Sequence, residues 1–181
     1  MEEPTASVLY VTPWAMATAY AKNTMGYDLE TCMYNTALVL GQNLVRERVQ
    51  EIVAAMEWAC GQTGARQVRV IGASAGSIPA LLAACVGEKV EGAVLTQCQV
   101  SLEDLFAQQR FYLWETNILP GILDIGDLPD FCRLACAVVV DPIHWDRSAY
   151  TPEEAAAERR VRCACGDLPA RIQRYFQKGE I

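Results

Sequence analysis

The chain is poor in histidine, with one in 181 residues, and short of basic charge, with 15 Lys+Arg against 22 Asp+Glu. A formal net charge of −7 argues against nucleic acid or an anionic membrane surface as a partner, because both are held through basic patches. No apolar run approaches the roughly 20 residues that span a bilayer, so no membrane association is expected. Met1-Glu2-Glu3-Pro4 is acidic where a secretory leader is basic, which makes the cytoplasm the expected location. Repeats, linkers and composition breaks are also lacking, so residues 1–181 read as one domain. Eight cysteines are present but no Cys-x-x-Cys pair. Cys132-x-x-x-Cys136 and Cys163-x-Cys165 suit a buried helix face and a short strand better than a zinc knuckle. Free thiols, no metal and no cofactor are therefore expected, in keeping with a reducing compartment.

What is present centres on Val68-Arg69-Val70-Ile71-Gly72-Ala73-Ser74-Ala75-Gly76, followed by an alanine-rich apolar segment. A β-branched run, Gly-x-Ser-x-Gly and a helix-forming stretch predict strand, sharp turn and helix. Such a turn holds a serine hydroxyl at the top of a sheet and at the positive end of a helix. A phosphate cradle is the competing reading of the glycines. Gly72-x-x-x-Gly76-Ser77 lacks the third glycine of a dinucleotide fingerprint and the lysine of a P-loop.

Around this turn, residues 7–12 read as a strand stopped by Pro13. Val45, Val49, Ile52, Val53, Met56 and Cys60 recur at helical spacing, with Arg46, Glu47, Arg48, Gln50 and Glu57 assigned to the opposite, polar side. Residues 91–96 form the next buried strand, completing a βαβ unit of a parallel sheet. Ser101-Leu102-Glu103-Asp104 carries a capping-box pattern. An irregular aromatic passage containing Trp114 leads to Pro120-Gly121, and is either a lid or pocket wall or plain surface packing. Residues 130–135 read as helix, 137–141 as a strand ending in Asp141, 160–165 as a last strand. Helices are expected from Thr151 and from Asp167, the latter with Leu168, Ile172 and Phe176 on one face. Tyr10, Tyr27 and Trp114 line either a pocket or a core.

Gly72-Ala73-Ser74-Ala75-Gly76 after a strand, the stretch Met25-Gly26-Tyr27-Asp28-Leu29-Glu30, the Pro120 to Pro129 passage and Val138-Val139-Val140-Asp141-Pro142 together resemble the α/β-hydrolase superfamily. The likeness is to its bacterial esterase and polysaccharide-deacetylase-like branch, related to acetyl xylan esterases. It covers nearly the whole chain but only the C-terminal part of the family's domain. It implies a three-layer αβα sandwich with a mostly parallel sheet of about five strands, an incomplete hydrolase fold. It also implies an ester hydrolase of the acetyl esterase type. Ser74 would be the nucleophile, the Ala75 amide an oxyanion donor, Gly72 and Gly76 the turn residues, and Asp141 the acid that orients a histidine.

The family's histidine follows the last strand, where this chain reads Cys165-Gly166-Asp167-Leu168-Pro169. The single imidazole, His144, stands three residues after Asp141. It is either the base, if its loop turns toward Ser74, or an ordinary loop histidine beside Trp145. The family also has strands ahead of Val8 that supply a second oxyanion donor. Their absence implies a closed gap, an exposed edge, or a homodimer or partner-completed sheet. The other reading is thus a hydrolase-fold homologue without a full triad, with a binding or assembly role.

Overall fold

A computed structural model describes residues 7–13, 28–103 and 115–140 of the chain. Within them lie helices α1 (Leu29–Val39), α2 (Leu44–Thr63), α3 (Ser77–Val86) and α4 (Leu128–Leu134), with strands β1 (Val68–Ala73), β2 (Val90–Thr96) and β3 (Val138–Val140). The fold is α/β. The strands pair in parallel in the order β1-β2-β3, so the strand-helix-strand unit expected around the Gly-x-Ser-x-Gly turn is present.

Local chemistry sets the helix limits. Asp28 caps α1 by accepting from the Thr31 amide at 2.9 Å, and Asn43 caps α2 by accepting from the Arg46 amide at 3.1 Å. Gly64, at φ 69°, closes α2 in the left-handed conformation that glycine adopts without a Cβ clash. Asp127 and Asp130 form a reciprocal capping box at α4. The Asp127 carboxylate also accepts from the Ser101 hydroxyl at 2.5 Å and the Leu102 amide at 2.7 Å. One buried aspartate thus ties the start of α4 to Ser101 and Leu102.

Packing centres on α3, whose residues 77–84 are all buried. It lies on β1 and β2, and α2 and α4 pack against it. Val45, Val49 and Ile52 of α2 join Val70, Leu95, Leu81 and Phe131 in one core. The irregular passage contributes too: Leu119 and Ile122 are buried in the same core, while Leu123 between them and α4 is 40% exposed.

The opposite face of the sheet is bare among the described residues. Ile71, Val94 and Val138 stand in one register row, and Ile71 is 73% and Val138 59% exposed.

Four expectations are corrected. Residues 7–12 are irregular and exposed, with Tyr10 91% accessible; their run of apolar residues does not alternate, and no strand among the described residues pairs with them. Tyr10 therefore lines neither core nor pocket. Arg48 is fully buried, because positions 45, 48 and 52 share a helix face. Cys136, expected on a buried helix face, lies beyond the end of α4, exposed and at φ 47°. α1 had no counterpart among the expected elements. Its inward residues Glu30, Tyr34 and Ala37 do fall at helical spacing, but a charged first member hides the stripe. Tyr27, Trp114, residues 151–181, and with them Cys163, Cys165 and the expected last strand and terminal helix, lie outside the described residues.

No helix among the described residues is long and apolar enough to cross a membrane, and no group of side chains there is arranged to hold a metal ion.

Candidate active site

β1 ends at Ala73, a 3-10 turn runs over Ser74–Gly76, and α3 follows directly. Ser74 is exposed and sits at φ 50°. A non-glycine residue in the left-handed region costs on the order of 1 kcal/mol or more and persists only where its surroundings impose it. The surroundings here are close. A Cβ on Gly72 would stand 2.6 Å from Ala80 Cβ, 2.9 Å from Ser77 Cα and 3.0 Å from Gly76 O, so strand and helix meet at a distance only glycine permits. Pro79 fits the start of α3 because first-turn amides have no intrahelical acceptor.

The peptide planes after Ser74 are held from behind. Ser77, whose side chain is buried, donates its hydroxyl to the Ser74 carbonyl at 2.6 Å, and the Ser77 amide bonds the same oxygen. The peptide whose carbonyl is thus fixed carries the Ala75 N–H on its other side. That amide lies in the first turn of the helical stretch, where N–H groups and the helix dipole together favour negative charge. Asn117 Nδ2 donates to the Ala75 carbonyl at 2.7 Å and fixes the next plane.

Behind Asn117 stands a buried polar chain. Arg48 donates to Asn117 Oδ1 at 3.2 Å and to the Thr116 carbonyl at 3.4 Å, and pairs with Glu30 Oε1 at 2.5 Å. The Thr116 hydroxyl donates to the same Glu30 oxygen at 2.7 Å. Glu30, Arg48, Thr116 and Asn117 are all buried. In the sequence Glu30 falls in a stretch that resembles the hydrolases and Arg48 reads as surface, so neither has a role there; Asn117 belongs to no motif, and Ser77 only to the glycine stretch weighed as a phosphate cradle.

The register orders the rest of the site. Ala73 pairs with Thr96 and Thr96 with Val140, so Ser74, Gln97 and residue 141 each follow a residue of one row across three strands. With neighbouring strands ~4.8 Å apart, Val140 lies about 10 Å from Ala73. Asp141 and His144 themselves fall outside the described residues. Gln97 is a second exposed residue held left-handed, at φ 51°, with its amide donated to the Val140 carbonyl at 3.2 Å. Just beyond it, Gln99 is buried with neither end of its side-chain amide hydrogen-bonded. Backbone strain and an unpaired buried amide are both features that concentrate at functional places. They sit at the carboxyl ends of the strands, where open α/β sheets bind their ligands.

No protein-family model, curated protein or solved structure matches the chain.

Proposed function

We propose that the chain is a carboxylic-ester hydrolase of the acetyl esterase or deacetylase type, built on the hydrolase-like αβα fold that the sequence resembles. Ser74 attacks the acyl carbon, the Ala75 amide helps hold the oxyanion, Asp141 orients the base, and His144 is that base. The observation that carries the reading is Ser74 itself, an exposed serine held at φ 50° on a strand-to-helix turn that Gly72 alone makes possible. Strain at such a turn is what an exposed nucleophile requires. The register adds support. Val140 stands two strands from Ala73, leaving about 10 Å for an imidazole and its two hydrogen bonds between serine and acid.

The full architecture has helices on both sides of a sheet of about five strands. The bare row of Ile71, Val94 and Val138 supports a second layer, since parallel sheets are kept covered on both faces. β1, at the outer end of the described sheet order, is the edge at which a further strand or a second copy of the chain would add.

The test is hydrolysis of short-chain nitrophenyl esters by the full chain and by Ser74→Ala, Asp141→Asn and His144→Ala. Each substitution is expected to lower kcat by about 10³-fold or more. Turnover that survives in Ser74→Ala sinks the reading. Folded protein without any turnover leaves the alternative, a hydrolase-fold homologue that binds or assembles without a working triad.

A further inference from the structure

We infer that Asn117 is a positioning residue for the Ser74–Ala75–Gly76 turn, and that the buried Glu30–Arg48 pair dictates which way its amide points. The inference rests on the hydrolase reading for its consequence in catalysis, but the geometry behind it is independent of any activity.

A guanidinium has only donors, so the atom of Asn117 that meets Arg48 at 3.2 Å must be its carbonyl oxygen. The amide NH2 is then committed to the other side, where the Ala75 carbonyl, an acceptor only, receives it at 2.7 Å. Turning the amide over would set two donors against each other at Arg48 and two acceptors at Ala75. Arg48 is fixed in turn by Glu30, whose Oε1 also receives the Thr116 hydroxyl at 2.7 Å. Contacts from α1, α2 and the 3-10 turn Glu115–Asn117 thus converge on one backbone oxygen of the elbow.

With Ser77 holding the Ser74 carbonyl, the two peptides after the nucleophile are clamped in sequence. The strained φ of Ser74 and the aim of the Ala75 amide depend on those planes staying put. Low local dielectric strengthens such a chain of bonds and makes each unpaired member costly.

Asn117→Asp separates positioning from packing. The substituted carboxylate keeps its size and its contact with Arg48, but brings an acceptor against the Ala75 carbonyl. Hydrogen exchange of the peptide covering residues 72–78, the thermal midpoint, and the rate of Ser74 labelling by a fluorophosphonate are measured on the full chain. Exchange in 72–78 is expected to rise by about tenfold, the size of one lost hydrogen bond. Labelling should slow by roughly 10- to 100-fold, and the midpoint should fall by several degrees, because the Ala75 carbonyl loses a buried donor.

Arg48→Lys is the second variant. It keeps a cation for Glu30 but cannot fork to Asn117, and should move exchange and labelling in the same direction by less. Unchanged exchange at 72–78 in both variants overturns the inference. Faster exchange in a protein whose unaltered Ser74 never labels upholds the positioning role and defeats the hydrolase reading instead.

Discussion

Gly72→Ala is the substitution the elbow geometry constrains most tightly. The added Cβ would lie 2.6 Å from Ala80 Cβ, with backbone at 2.9 and 3.0 Å behind it. Carbon atoms pack best at about 3.5–4.0 Å, so the helix must retreat by up to about 1 Å. Overpacking of this kind costs about 1–3 kcal/mol, offset in part by the ~0.5–1 kcal/mol that alanine gains over glycine within a strand. The net destabilisation is about 0–2.5 kcal/mol, or a drop of up to about 10 °C in Tm for a chain of this size. Ala80→Gly alone costs about 1 kcal/mol of helix propensity. In the double variant the nearest contact is gone, although those to Ser77 Cα and Gly76 O remain. Its cost should fall short of the sum by at least about 0.5 kcal/mol. Urea unfolding with an unchanged m-value reads all four corners of the cycle. Strict additivity across the cycle would refute the claim that this strand and helix touch through a missing side chain.

Arg48→Met leaves the Glu30 carboxylate buried without its cation and should cost about 3–5 kcal/mol in urea unfolding, with much of that recovered in Glu30→Met/Arg48→Met; a loss under about 1 kcal/mol contradicts the buried pair. Ile71→Asp probes the bare sheet face: a covering layer predicts a loss above about 2 kcal/mol, whereas a change within about 0.5 kcal/mol means that water covers it and overturns the second layer. Burial pushes the Cys85 thiol well above its ordinary range, with Cys132 beside it adding to the shift, and the thiol donates to the Phe131 carbonyl at 3.3 Å. At pH 8 a maleimide should therefore modify exposed Cys136 in the native protein and Cys85 only after unfolding. Mass mapping of native Cys85 adducts would contradict this.

The parts of the fold legible in the sequence were those with a strong local signal. The β-branched run before Gly72 and the apolar spacing of α2 each agree with their surroundings, and the βαβ unit follows from their order, whereas the helix read over 130–135 begins two residues earlier, at Leu128 behind an Asp127 cap. What escaped depends on tertiary partners. Arg48 reads as a surface residue because charge normally marks the wet side of a helix. Glu30, 18 residues away, Thr116, 68 residues away, and Asn117, 69 residues away, make its burial tolerable. α1 escaped for the same reason, since the first residue of its inner stripe is that glutamate.

The opposite error befell residues 7–12, where β-branched and aromatic composition suggested a strand that no ladder among the described residues supports. In the candidate site, Ser74 was legible because its geometry is written in the glycines on either side. The groups that brace it, Ser77 and Asn117, act through backbone carbonyls, and no spacing rule marks a residue for that.

The central claim is that Ser74 is an activated nucleophile, and the most direct measurement is covalent. Folded, full-length protein is treated with a fluorophosphonate, and intact mass is followed by peptide mapping. The account predicts a single adduct, on the peptide carrying Ser74, that is absent from Ser74→Ala and from heat-unfolded protein. No adduct on the folded chain, or one that persists unchanged in Ser74→Ala, would contradict it.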